Sequence, residues 1–118
     1  MADGERRILV VEDDGPLREE LLQGLAASGF AASGLGDGAA AALSATEAPP
    51  DALLLDIEIP ALDGLRLAQV MQALQPRTRI VVMSGHHYLR LAARDLLGPD
   101  VAVLPKPFDL DQLLARLA

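Results

Sequence analysis

Carboxylate, hydroxyl and ammonium side chains follow the short apolar segments of this chain. In chain order they are Glu12, Asp13, Asp56, Ser84 and Lys106. Three carboxylates brought within about 4 to 6 Å of one another repel strongly, so such a cluster needs protons or cations. Lys106 supplies one positive charge, and a divalent cation is the natural second. Because the available ligand atoms are oxygens, the pattern favours Mg²⁺ over Zn²⁺.

The composition limits what else the chain can do. Its 118 residues suffice for one domain, predicted to span residues 1–118 with its core from about residue 6. Cysteine is absent, which excludes disulfide scaffolds, thiolate zinc sites and cysteine nucleophiles. The net charge of -7 disfavours direct contact with nucleic acid or an anionic membrane. No apolar run approaches the roughly 18 residues of a membrane span, so we expect a cytoplasmic protein.

Apolar segments alternate with longer amphipathic stretches along the chain. Strands are predicted at 8–11, 31–35, 52–55, 80–83 and 101–104, and a helix is predicted after each. Strands that are apolar on both faces need cover on both faces. The pattern therefore predicts a doubly wound α/β fold, in which a five-stranded parallel sheet is flanked by five helices. In such sheets ligands bind at the edge where the carboxyl ends of the strands meet.

The third and first helices have more detailed predictions. Apolar residues at spacings of three and four predict the buried face of the third helix. They are Leu67, Val70, Met71 and Leu74. Asp14 precedes a helix that Pro16 opens, so it is assigned as the N-cap. This assignment leaves Glu12 and Asp13 to the cation.

Four segments together resemble the receiver domain of two-component response regulators. They are Leu-Val-Val-Glu-Asp-Asp at 9–14, Leu-Leu-Asp-Ile-Glu-Ile-Pro at 54–60 with Asp-Gly at 63–64, Val-Met-Ser-Gly at 82–85, and Leu-Pro-Lys-Pro-Phe at 104–108. The resemblance extends over essentially the whole chain. Any one motif alone is weak, but four in this order and spacing are specific. The resemblance implies a flavodoxin-like fold.

The resemblance also implies a role for each strand-end residue. Asp56 would accept a phosphoryl group from the phosphohistidine of a sensor histidine kinase or a histidine phosphotransfer protein. Glu12 and Asp13 would hold Mg²⁺ together with Asp56 and the backbone carbonyl of Glu58. The residues that would contact phosphoryl oxygens are Ser84 and Lys106. Such a set supplies the positioning and charge neutralisation that phosphoryl transfer needs.

A receiver is a signalling switch rather than an enzyme, although it assists its own phosphorylation and dephosphorylation. The resemblance implies a downstream protein target that contacts the face formed by the fourth helix, the fifth strand and the fifth helix. It leaves open whether phosphorylation produces a homodimer. It also implies a cis peptide bond between Lys106 and Pro107, since cis bonds cost little only before proline.

The chain departs from typical receivers at one switch position. Receivers usually have Tyr or Phe three residues before the lysine, where this chain has Val103. A β-branched aliphatic side chain has no ring to reorient. We therefore consider Tyr88 as a replacement, and we expect movement of the loop after Ser84 and of the fourth helix to transmit the signal. Glu58 and His86, each two residues beyond a strand-end site residue, are expected to tune the dephosphorylation rate, with no sign assigned.

Other functions stay open on the sequence. A haloacid-dehalogenase-like phosphatase also uses Asp, Ser, Lys and Mg²⁺, but its nucleophile follows the first strand and it has Asp where this chain has Glu58. A flavodoxin-like FMN binder needs a hydroxyl- and glycine-rich loop after the first strand. A pseudo-receiver would bind partners without phosphorylation. The chain is interpreted either as a free-standing regulator with no output domain or as the receiver segment of a hybrid sensor kinase.

Overall fold

A computed structural model describes residues 5–58 and 64–118 of the chain. Strands and helices alternate: β1 (Arg7–Val11), α1 (Gly15–Ala27), β2 (Ala31–Leu35), α2 (Gly38–Glu47), β3 (Ala52–Asp56), α3 (Gly64–Leu74), β4 (Arg79–Ser84), α4 (His87–Leu97), β5 (Ala102–Pro105) and α5 (Leu110–Leu117). The strands pair in parallel in the order β2-β1-β3-β4-β5. The predicted doubly wound fold is therefore confirmed. Pro60 and Asp63, which belong to the resemblance, lie outside the described residues.

Each face of the sheet packs against its own helices. On β3, Leu53 and Leu55 join a core cluster that includes residues of α2, α3 and α4. Leu54 points to the other face and joins a cluster that includes residues of α1 and α5. All three side chains are fully buried, and each such burial contributes about 1.5 to 3 kcal/mol. Burial on both faces explains why three successive residues of β3 are all apolar.

α3 buries a different stripe from the predicted one. Val70 and Leu74 are 39% and 60% exposed, so the prediction was wrong for these two. The buried residues of α3 are Gly64, Leu67, Ala68 and Met71. A Cβ added at Gly64 would lie 2.5 Å from the Cα of Ile57, so the start of α3 lies too close to the loop after β3 for any side chain. The buried face of α3 therefore includes two small residues, Gly64 and Ala68. The positions of the large apolar side chains alone do not predict this face.

Side-chain caps fix where three helices begin. Asp14 accepts a hydrogen bond from the Leu17 amide, which confirms it as the N-cap of α1. Asp37 caps α2 in the same way. Asp109 forms a capping box with Gln112 at the start of α5. Within the described residues no helix combines the length and the apolar content needed to cross a bilayer.

The strand order creates a crevice at the carboxyl edge of the sheet. β1 and β3 are neighbours, with Val11 opposite Leu55. The chain leaves β1 towards α1, on one face, and the segment that follows β3 leads to α3, on the other. Because the two connections leave in opposite directions, a crevice opens between the ends of β1 and β3. Ligands of doubly wound proteins bind at this point.

Candidate functional site

The strand-end residues come together at this crevice. Glu12 follows β1 directly and Asp56 is the last residue of β3. Ser84 ends β4 opposite Pro105, so Lys106 follows at the same level of the sheet. Glu12, Asp56 and Ser84 are 1%, 3% and 0% exposed. Polar groups buried to this degree need hydrogen-bond partners, and their partners define the site.

The Lys106 ammonium lies between the two buried carboxylates. Its Nζ donates to Glu12 Oε1 at 2.6 Å and to Asp56 Oδ2 at 3.0 Å. Burial acts to lower the pKa of Lys106, but the hydrogen bonds to both carboxylates outweigh it and raise the pKa. Lys106 is therefore charged at neutral pH. The peptide bond from Lys106 to Pro107 is cis, as predicted.

Three carboxylates at the mouth of the crevice could hold a cation. Glu12, Asp13 and Asp56 each offer one oxygen, and these atoms lie within 4.8 Å of one another. Asp13 is exposed while the other two are buried. Burial raises the pKa of Glu12 to about 7, against the lowering effect of its hydrogen bond to Lys106. A second cation would favour the charged form of Glu12, and an all-oxygen donor set fits Mg²⁺.

The Asp56 carboxylate is oriented through both of its oxygens. Oδ2 accepts the hydrogen bond from Lys106, and Oδ1 accepts one from the Glu58 amide at 2.8 Å. The backbone continues the β-ladder one residue further, since the Ile57 amide donates to the Met83 carbonyl at 3.1 Å. Asp56 is thus held at the end of a fully paired strand, with lone pairs on each oxygen left for a further ligand.

Ser84 and Glu58 form a contact that the sequence analysis did not predict. The Ser84 hydroxyl donates to Glu58 Oε2 at 2.5 Å, and the Gly85 amide donates to the same oxygen at 3.0 Å. The hydrogen bond from Ser84 lowers the pKa of Glu58, and that from Gly85 adds to this effect. Glu58 is therefore ionised at neutral pH. The only sequence signal for this contact is that both loops follow adjacent strands.

Two arginines that the sequence analysis did not single out brace the strand ends. Arg90 of α4 donates to the Ser84 carbonyl at 3.0 Å, and Arg18 of α1 donates to the Glu12 carbonyl at 2.6 Å. A Cβ at Gly36 would lie 2.8 Å from the Arg18 guanidinium, so glycine there leaves room for the arginine. Both contacts tie a helix to a strand end next to the site.

The remaining predicted residues lie around the site rather than in it. Val103 is 8% exposed and packs in the core beneath α4. Tyr88 is 74% exposed, and its ring contacts His86 and His87 at centroid distances of 6.0 and 5.6 Å. His86 is exposed and occupies the N-cap position of α4 without a side-chain cap. Tyr88 thus lies on the surface and does not fill the position of a buried aromatic ring.

The strand order and the acidic crevice are those of α/β proteins that bind ligands at the carboxyl edge of a parallel sheet. The chain belongs to the response regulator receiver domain family, whose profile matches residues 8–118. It is thus a receiver domain of two-component response regulators. Asp56 ends the third strand in the described part of the chain, whereas the nucleophile of the phosphatase alternative follows the first strand. The FMN-binding alternative is likewise set aside by the family.

Similar proteins and solved structures include response regulators and receiver domains. The transcriptional regulatory protein PrrA of Mycobacterium leprae is 39% identical over 113 residues, which cover 94% of this chain and 48% of PrrA. The chain therefore spans about half the length of such relatives. A signal receiver domain from Bermanella marisrubri shares 29% identity with a TM-score of 0.82, over 97% of this chain and 96% of that one. A response regulator from Burkholderia pseudomallei, solved with a phosphorylated aspartic acid, calcium and citrate, shares the fold at 24% identity and a TM-score of 0.85, over 97% and 67% of the two chains.

Proposed function

We propose that Asp56 accepts a phosphoryl group from the phosphohistidine of a sensor histidine kinase or a histidine phosphotransfer protein. A carboxylate oxygen attacks phosphorus, the phosphorus–nitrogen bond breaks and its electron pair returns to the imidazole, which leaves an acyl phosphate on Asp56. The observation that supports this most directly is the Lys106 ammonium, which contacts Asp56 and Glu12 where the phosphoryl charge would accumulate. Phosphoryl transfer depends mainly on such positioning and neutralisation.

Mg²⁺ is the proposed cofactor. Glu12, Asp13 and Asp56 would supply carboxylate oxygens, and the backbone carbonyl of Glu58 would supply a fourth ligand. Bound there, the ion would neutralise charge on the transferring oxygens. The chain itself contributes two buried carboxylates fixed by Lys106 and one exposed carboxylate that can adjust to the ion.

The residues around Asp56 have proposed roles in the phosphorylated state. Lys106 would pair with one phosphoryl oxygen, and the Ser84 hydroxyl would donate to another. Glu58 and His86 each lie two residues beyond the end of a strand, β3 or β4, and we propose that they set how fast water removes the phosphoryl group. The ionised carboxylate of Glu58 would put a negative charge beside the path of that water.

Two surfaces are proposed for partners. The phosphoryl donor would approach beside Lys106, where a hollow of about 400 Å³ is lined by Leu17, Glu20, Lys106, Pro107 and Phe108. The downstream protein would contact the face of α4, β5 and α5, which also offers a surface for a phosphorylation-dependent homodimer. Exposed Leu91 and Leu96 of α4 provide apolar area on or near that face.

The extent of the domain and the place where it acts are also proposed. We propose that residues 1–118 form a single receiver domain that acts in the cytoplasm by protein contact. The net charge of -7 supports an output that does not involve nucleic acid bound by the receiver itself. We propose no enzymatic turnover of external substrates. A receiver segment within a hybrid sensor kinase is the alternative arrangement.

The test is phosphorylation by a small donor. The full chain is incubated with Mg²⁺ and acetyl phosphate, and intact mass is measured for the wild type and for Asp56→Asn. We expect one phosphoryl group on the wild type and none on Asp56→Asn. Asp111→Asn, an exposed carboxylate of α5, is the matched control and should be labelled as the wild type is. Equal labelling of the wild type and Asp56→Asn, or of neither, would contradict the proposal and favour a pseudo-receiver or another acceptor.

A further inference from the structure

The Ser84 hydroxyl is already engaged before any phosphoryl group is present. Its Oγ donates to Glu58 Oε2 at 2.5 Å and accepts from the His86 amide at 2.9 Å. A hydroxyl has one proton to donate. Ser84 therefore cannot donate to Glu58 and to a phosphoryl oxygen on Asp56 at the same time, so the two arrangements exclude each other.

The backbone of Ser84 forms hydrogen bonds that do not involve its side chain. The Ser84 carbonyl accepts from the Lys106 amide at 3.0 Å and from the Arg90 guanidinium at 3.0 Å. These bonds hold the end of β4 against β5 and α4. A change of partner for the hydroxyl thus requires rotation of the Ser84 side chain and adjustment of the backbone from the Ser84 carbonyl to Gly85, while β4 stays paired with its neighbours.

Glu58 links the phosphoryl acceptor to this hydroxyl. Its amide donates to Asp56 Oδ1 at 2.8 Å, while its carboxylate accepts from Ser84 and from the Gly85 amide. One residue thus touches the acceptor through its backbone and the loop after β4 through its side chain. A carboxylate acceptor makes these bonds stronger than a neutral acceptor would.

We propose that Glu58 is a positioning residue that holds Ser84 and the loop after β4 in the unphosphorylated arrangement, from which a phosphoryl group on Asp56 must withdraw the hydroxyl. The inference rests on the proposed phosphorylation of Asp56. It assigns to Glu58 an effect on the switch equilibrium that is separate from any effect on the attacking water.

The experiment measures binding of beryllofluoride, with Mg²⁺ present, to the full chain. Glu58→Gln keeps the size of the side chain but replaces the charged acceptor by a neutral one. We expect its apparent Kd for beryllofluoride to fall about tenfold, because less interaction must be lost to free the hydroxyl. Glu19→Gln removes one carboxylate from the exposed surface of α1, and its Kd should stay within about twofold of the wild type.

A double-mutant cycle separates the hydrogen bond from a simple effect of charge. Removal of any negative charge near the site favours an anion, but that effect does not need the Ser84 hydroxyl. In a Ser84→Ala background, Glu58→Gln should therefore improve binding by less than about twofold, since the hydroxyl is gone. An equal improvement in both backgrounds would overturn the proposal, and so would the absence of any improvement with Ser84 intact.

The amide resonance of Gly85 gives a second readout in the absence of ligand. In free Glu58→Gln it should move towards its position in the wild-type beryllofluoride complex, because the charged acceptor of that amide is replaced. An unmoved resonance would contradict the proposed holding contact. Failure of the wild type to bind beryllofluoride would overturn the proposed function and this inference together, whereas normal wild-type binding with no effect of Glu58→Gln would overturn this inference alone.

Discussion

At the scale of single residues, the geometry of the site depends on the size and shape of the Lys106 ammonium group. Lys106 is the only lysine among ten basic residues, and its side chain is 23% exposed between Glu12 and Asp56. An ammonium is compact and can direct its three protons to separate acceptors. A guanidinium is planar and presents its donors in a fixed fork. The two groups therefore differ at this position although their charge is the same.

We expect Lys106→Arg to preserve the charge but to slow labelling of Asp56 by acetyl phosphate by about tenfold or more, because the planar group cannot meet Glu12 and Asp56 from one point. Intact mass over time measures the rate, and circular dichroism checks the fold. Arg94→Lys, on the exposed side of α4, is the reciprocal control and should be labelled at the wild-type rate. Wild-type labelling of Lys106→Arg would show that charge alone is needed.

At the scale of elements, α4 is joined to the site by a side-chain hydrogen bond. Val103 is buried and has no ring, and Tyr88 is exposed, so neither provides a buried aromatic group that could reorient. Arg90 instead donates from α4 to the Ser84 carbonyl. A rearrangement around Ser84 therefore acts on α4 through a hydrogen bond at the start of the helix, and α4 forms part of the proposed output face.

We expect a pair of structures, with and without beryllofluoride, to differ in residues 85–97, while β1, β3 and α1 superpose. The reason is that the hydroxyl of Ser84 changes partner next to the hydrogen bond that ties down α4. In Arg90→Ala, beryllofluoride should still bind, but the amide resonances of α4 should respond less. An unmoved 85–97 segment in the wild-type pair would rule out this route.

At the scale of the whole molecule, we expect the acidic site to lower the stability of the fold when no divalent cation is bound. Three carboxylates meet at one edge of a chain with net charge -7, and burial raises the pKa of Glu12 to about 7. A ligand that binds only the folded state stabilises it by mass action. Divalent cations should therefore act on the global free energy of unfolding, not only on the site.

We expect Mg²⁺ at ten times its Kd to raise the free energy of unfolding by about 1.4 kcal/mol. Asp13 is exposed, so Asp13→Asn should change the stability in EDTA by less than about 0.5 kcal/mol yet remove most of the gain from Mg²⁺. Thermal unfolding with Mg²⁺, and with NaCl at equal ionic strength as the control, measures both effects. Equal stabilisation of the wild type and Asp13→Asn would place the ion elsewhere.

Local sequence patterns predict some elements of the fold but not others. The strands and the caps at Asp14, Asp37 and Asp109 follow from local rules, because apolar runs and capping side chains act within a few residues of the chain. The buried face of α3 does not, since glycine at position 64 is required by the short distance between the start of α3 and Ile57. That distance is a property of the packed fold.

Sequence patterns alone predicted the doubly wound fold, the family and the meeting of Glu12, Asp56, Ser84 and Lys106 at one edge of the sheet. Parallel strands bring their carboxyl ends to the same edge whatever the details of packing, so this placement follows from the parallel direction of the strands. The hydrogen-bond partners of these groups depend on the packed fold. The hydrogen bond from Ser84 to Glu58 joins the end of β4 to the segment after β3. It forms because strand register and side-chain rotation bring the Ser84 Oγ atom to 2.5 Å from Glu58 Oε2.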